Sequence, residues 1–272
     1  EIIAYWKARN KSNMNEIMMP VVFAGHGSPM NTIEENRFTR EWERAASFLP
    51  KPKAVLAISA HWYTHGLYVN NQEKPKQIFD MYGFPEELYQ VRYEPQGSPE
   101  LAAKTAELLG AVPTADWGID HGTWSVLRRF FPDADIPVVQ LSVNADADPE
   151  EQFETGRKLA ELRKQGILIF GSGSIVHNLA EVDWTKDDGT AWCKAFDKEL
   201  KNKILAKDFA AAVNYRKLST CRREVFLTPE HYYPLLTVLG AASEGDEVQV
   251  FAEGSTLGAI SMTSYLIRQR EQ

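Results

Sequence analysis

The chain has 272 residues, 44% hydrophobic and 25% charged, which fits one large or two small soluble domains and excludes collagen-like, low-complexity and disordered classes. Its 30 basic residues against 37 acidic ones leave a net charge of -7, so no global positive field draws it to nucleic acid or anionic lipid. Apolar runs such as 54–58 fall far short of the ~20 residues a membrane helix needs, and the 2 cysteines, Cys193 and Cys221, give no disulfide framework or thiolate pair for zinc and fit a reducing cytoplasm.

Residues 1–19 carry an apolar patch from Ile2 to Trp6 but no secretory h-region or cleavage signal, and read as an N-terminal extension ahead of one domain over 20–268. Val21 to Ala24 is an apolar run emptying into Gly25-His26-Gly27-Ser28-Pro29, the pattern of a buried strand ending in a loop. The device recurs. Ala54 to Ile58 runs into Ser59-Ala60-His61-Trp62, Pro137 to Leu141 into Ser142-Val143-Asn144, and Ile167 to Phe170 into Gly171-Ser172-Gly173-Ser174. Helices are predicted over Asn36 to Phe48, Pro99 to Leu109, Thr123 to Phe131, Pro149 to Lys164, Trp192 to Ala206 and Pro229 to Ala242, several opening with Pro or a polar cap and closing near Gly. Strands alternating with helices predict a single α/β domain, its largely parallel mixed sheet covered by helices on both faces. Glu247 to Phe251 alternates polar and apolar residues, and Leu257 to Ile267 holds another strand-like run; the two predict a terminal hairpin or edge pair.

Six histidines are present, and His26, His61 and His177 each follow a predicted strand. In open α/β sheets the groups beyond the carboxyl ends of the strands converge on one crevice, where ligands bind. One loop histidine taken alone is more often a surface or structural residue, but convergence of three suggests a divalent metal or an acid/base pair. His121 precedes one predicted helix and His231 opens another, whereas His65 reads as a solvated loop residue. Other motifs carry less. Val176 takes the last glycine position of a dinucleotide loop begun at Gly171, Ser28 lacks a nucleophile elbow, and Asp187-Asp188 reads as a solvated turn. Trp62, Tyr63, Trp124, Tyr232 and Tyr233 are individually core or rim residues that together suit the wall of an aromatic site.

Five motifs in order, Gly25-His26-Gly27-Ser28-Pro29-Met30, Ser59-Ala60-His61-Trp62, Asp120-His121-Gly122-Thr123-Trp124, Val176-His177-Asn178-Leu179 and Thr228-Pro229-Glu230-His231-Tyr232, span nearly the whole chain from about Pro20 to Tyr265. Together they resemble the class III extradiol ring-cleavage dioxygenases, with the greatest likeness to the branch that opens DOPA at its 4,5 bond. The resemblance implies a non-haem metal on His26, His61 and His231, His177 as acid/base, and His121 as a second active-site histidine contacting dioxygen or substrate. Ser28, Trp62 and Tyr232 are the matching candidates for substrate contact. Other members of the wider family use two histidines and one carboxylate. Here Glu230 stands beside His231, so the third ligand is open between them, and His177 is a possible additional ligand in a substrate-free state.

The implied partners are a small-molecule catechol and O2. The implied cofactor is Fe2+, with Zn2+ as the ion a purified protein carries, because zinc binds such ligands more strongly than ferrous iron. An all-histidine site with an open position also suits a zinc-dependent hydrolase, and a non-enzymatic metal or small-ligand binding protein is a third reading.

Overall fold

Along the first strand Val21 and Phe23 turn into one hydrophobic core while Val22 and Ala24 turn into another. This is the two-residue alternation of a strand buried on both faces. The computed structural model describes residues 18–270. Its elements run β1 (Val21–Gly25), α1 (Arg37–Ser47), β2 (Ala54–Thr64), β3 (Tyr68–Asn70), α2 (Glu86–Tyr89), α3 (Pro99–Leu109), β4 (Val112–Thr114), α4 (His121–Phe130), β5 (Val138–Asn144), α5 (Pro149–Arg163), β6 (Ile167–Gly173), α6 (Ala191–Leu205), α7 (Phe209–Val213), α8 (Tyr233–Ala241), β7 (Asp246–Phe251), β8 (Ser255–Thr256), β9 (Ile260–Ser261) and β10 (Ser264–Gln269).

Eight strands form one mixed sheet in the order β4-β3-β5-β2-β6-β1-β10-β7. Its centre, β5-β2-β6-β1, is parallel, so the carboxyl ends of those strands open on one edge of the domain. Helices α3, α5, α6 and α8 cover one face through Leu101, Leu159, Phe196 and Leu235, and α1 and α4 cover the other through Trp42 and Trp124. Local chemistry fixes the helix ends. Asn36 caps α1 with a reciprocal Thr39 bond, Asp148 and Glu151 do the same for α5, and Gly110 ends α3 in the left-handed region at φ 69°.

The α/β architecture and the edge pairing of the last strands agree with the sequence; β7 and β10 pair antiparallel. Four details differ. Strand β2 runs past Ile58 to Thr64, through a register shift against β5, so His61 stands on the strand and not in a loop. The last helix begins at Tyr233, because residues 229–232 close a turn on the Pro229 carbonyl, which accepts from the N–H of Tyr232 at 2.9 Å. Strands β3 and β4 are only three residues long, too short for periodicity to reveal. The run from 257 to 267 is broken between β9 and β10. The N-terminal extension lies outside the described residues except for Met18 and Met19. Among the described residues no helix is long and apolar enough to cross a membrane.

Candidate metal centre

His26 follows β1, and its backbone N–H donates to Gly173 O at the end of β6 (3.0 Å). His61 projects from the end of β2, and His231 is drawn to the same edge because Ser174, just past β6, donates its N–H to the His231 carbonyl (2.8 Å). That approach requires glycine at 173: a Cβ there would lie 2.1 Å from the His231 carbonyl oxygen. His177 hangs between Phe226 and Ile260 in isolated bridges. His121 is the first residue of α4, behind the N-cap Asp120. Five histidines from distant positions therefore meet at one edge, and His65 stands apart, exposed and bonded to Asp146.

The rings of His26, His61 and His231 form a nearly equilateral triangle with centroids 5.0, 5.1 and 5.3 Å apart, and one nitrogen from each lies within 4.8 Å of the others. Each ring has its Nδ1 engaged. Ser172 donates its hydroxyl to Gly122 O, so its oxygen accepts from His26 Nδ1 at 2.9 Å. Asp80 stands 3.1 Å from His61 Nδ1 and Glu230 2.9 Å from His231 Nδ1. Carboxylates only accept, so these partners set the Nδ1–H tautomer and leave Nε2 with its lone pair.

Two of those nitrogens, His26 Nε2 and His61 Nε2, are 3.2 Å apart, and the buried His231 Nε2 has no partner. With both nitrogens unprotonated, lone pairs at that distance repel unless a proton or a metal ion lies between them. Two ligands each ~2.1 Å from one ion, at tetrahedral or octahedral angles, sit about 3.0–3.4 Å apart. The residues therefore fit a metal ion. Glu230 commits Oε1 to His231 Nδ1, while its buried Oε2 has no partner and lies with His177 and His231 in a second group of possible ligands.

Charge within the cluster follows the same logic. Burial and the neighbouring imidazoles hold His26 and His231 well below the ordinary histidine value. Burial alone would lower His61 too, but the hydrogen bond to Asp80 and the charges of Asp120, Asp80 and Glu230 outweigh it and raise it. Burial, then His61 and His121, push His177 down to about 3, lower than an imidazole expected to titrate near neutrality.

A pH dependence follows. With His26, His177 and His231 depressed, the unfolded chain binds more protons than the folded one between about pH 6.5 and 3, so stability is lost as pH falls through that window. The shift of His177 alone, from 6.5 to about 3, corresponds to about 5 kcal/mol, partly offset by the raised His61. Urea unfolding of the metal-free protein should show a steep loss of stability from pH 6.5 to 4; a flat profile would show that the imidazoles are not held neutral.

His177 stacks on His231, centroids 3.4 Å apart and planes within 8°. With Glu230 and His231 it also forms a group whose possible ligand atoms all lie within 4.8 Å of one another, so His177 would be available as a further ligand. His121 Nδ1 lies 3.0 Å from Asp80 Oδ1 but off the line of a hydrogen bond, and the backbone N–H of His121 takes that oxygen at 2.9 Å. Asp80 is the member of this cluster that the sequence reading did not single out. A lone aspartate after Phe79 has no motif around it, and only its place near the paired histidines reveals it.

Two substrate candidates need correction. Tyr232 is fully buried, its hydroxyl donating to Ala212 O at 2.8 Å and its ring packed on Tyr215 and Phe226. Trp62 is buried and stacked on Trp117. Both are core, and the neighbouring Tyr63, 37% exposed, is the aromatic that reaches the surface beside His61. Ser28 is half-buried, with its hydroxyl accepting from the N–H of Met30 as a helix cap.

Residues 19–266 match the family described as the catalytic LigB subunit of aromatic ring-opening dioxygenase. A protein of Escherichia coli K12 named 4,5-DOPA dioxygenase extradiol is 42% identical over 93% of this chain and 96% of its own length. One of the same name from Beta vulgaris is 36% identical over 89% and 94%. The crystal structure of an uncharacterized Escherichia coli K12 protein superposes with a TM-score of 0.78 at 39% identity, covering 91% of this chain and 99% of that one.

Proposed function

The chain belongs to the family of the catalytic LigB subunit of aromatic ring-opening dioxygenases, and from that premise we propose that His26, His61 and His231 hold Fe2+ and that the substrate is a catechol of the DOPA type. That it is a metal-dependent extradiol ring-cleaving dioxygenase follows from the family and from relatives that carry that activity in their names. The observation that carries the site assignment is the convergence of three Nε2 lone pairs whose Nδ1 positions are all tied down. A hydrolase or a passive binding protein would not account for the family.

When bound, ferrous iron supplies open coordination positions for both catechol oxygens and for O2 and passes electron density between them. The chain's own residues do the rest. Ser172, Asp80 and Glu230 keep the three imidazoles aimed. His177, neutral at physiological pH because burial pushes it to about 3, takes the second phenolic proton on a ring nitrogen. The negative charge of the bound catechol raises its basicity for that step, and it returns the proton to the oxygen freed when the O–O bond breaks. His121, buried beside Asp80, limits where substrate and O2 sit. The relatives named for DOPA support the 4,5 position of cleavage.

Anaerobic loading with iron, followed by oxygen-electrode and absorbance assays with DOPA, caffeate and protocatechuate, tests the reading. The expected result is one O2 consumed per DOPA with a yellow ring-opened product. The zinc-loaded protein should be silent, because zinc has no redox chemistry. Absence of oxygen uptake with every catechol while iron remains bound would overturn it.

A further inference from the structure

Asp80 lies in a stretch without regular secondary structure between β3 and α2, yet that stretch is fastened to the approach of α4. Ile78 N–H donates to Ile119 O, Ile119 N–H to Lys76 O, and the Trp124 indole to Ile78 O, each at 2.8 Å. The carboxylate so held is only 14% exposed and divides its two oxygens between two imidazoles. Oδ2 is 3.1 Å from His61 Nδ1, while Oδ1 accepts from the His121 backbone N–H at 2.9 Å and stands 3.0 Å from His121 Nδ1 off the line of a hydrogen bond, so its hold on that ring is electrostatic. The two rings pack against each other with centroids 4.0 Å apart.

We infer that Asp80 is a positioning residue that serves two imidazoles at once, fixing His61 and His121 together as Nδ1–H tautomers so that the seating of the ion and the orientation of His121 are set by one side chain. The inference rests on the reading of His61 as a metal ligand. A nitrogen 3 Å from a carboxylate oxygen is favoured only when it carries a hydrogen, because the carboxylate has none to give. Each ring then turns its unprotonated Nε2 away from Asp80. Coupling through the shared carboxylate also means that a change at one ring is felt at the other. A carboxylate can serve both rings because it has two acceptor atoms. An asparagine has one, and its amide NH2 must face either His61 Nδ1–H or the N–H groups of His121.

Nitrogen-15 imidazole spectra of the zinc-loaded full chain read the tautomers directly and need no variant. His61 and His121 are expected to be protonated on Nδ1; an Nε2–H tautomer at His121 overturns the inference. Asp80→Asn should keep its thermal unfolding near that of the wild type, move at least one of the two rings out of the Nδ1–H form, and weaken zinc ~10-fold to 100-fold in chelator competition, the usual cost of removing a partner behind a ligand. Unchanged ring spectra and unchanged zinc affinity in Asp80→Asn also overturn it. His61→Ala separates the two levels. If that variant binds zinc like the wild type, the metal centre itself is misread; if it loses zinc while Asp80→Asn is unaffected, only the role of Asp80 falls.

Discussion

His231→Ala is expected to lower metal affinity by ~10²-fold to 10³-fold and to leave ring cleavage undetectable at ordinary iron concentrations. The figure comes from spreading the ~10–16 kcal/mol of a four-ligand zinc site over its ligands, about 2.5–4 kcal/mol each. His231 Nε2 is buried without a partner, and its ring is held on the other side by Glu230 at 2.9 Å. Removing the ring removes the third corner of the triangle. Glu230→Gln behaves differently, because an amide oxygen still accepts from Nδ1; it should retain metal with a loss no greater than ~10-fold to 100-fold. Metal content after dialysis and chelator competition decide the matter. If Glu230→Gln empties the site and His231→Ala does not, the carboxylate is the ligand and the assignment is reversed.

The contrast between these neighbours shows what a sequence can carry. Thr228-Pro229-Glu230-His231 places a carboxylate and an imidazole side by side, and nothing in spacing separates ligand from partner. The decision needs the direction of each ring, which comes from Gly173 admitting the His231 carbonyl and from residues 229–232 closing a turn before α8. The sheet was legible because its central strands are buried on both faces and read as unbroken apolar runs, as at Ile167 to Phe170. The short strands β3 and β4 and the irregular strand end that carries His61 were not, because pairing across long sequence separations defines them.

Asp80 was hidden for the same reason. Its partners are 19 and 41 positions away, at His61 and His121, and no local pattern marks an isolated aspartate. Tyr232 and Trp62 failed in the opposite direction. They stand next to site histidines in sequence, but adjacent side chains on an extended or turning backbone point to different sides, and both went into the core.

His177→Ala should retain its metal and lose ~10²-fold to 10⁴-fold in kcat, the range for a general acid/base, with a much smaller change in KM. The ring lies face to face on His231, 3.4 Å away, beside the His26, His61 and His231 group that would hold the ion and outside that set of three. Its backbone N–H is held by Val225 O at 3.1 Å, so alanine keeps the main-chain bond and removes only the ring. Proton transfer by a missing imidazole has a specific remedy: added imidazole should restore part of the rate in His177→Ala and none in His231→Ala, where the deficit is the ion. The burial that holds His177 near 3 makes it a neutral acceptor across the physiological range, so the wild-type rate should not fall between pH 8 and 6 through protonation of this ring in the free enzyme. Loss of metal from His177→Ala would make it a fourth ligand, and a rate within a few-fold of wild type would remove it from the proton path.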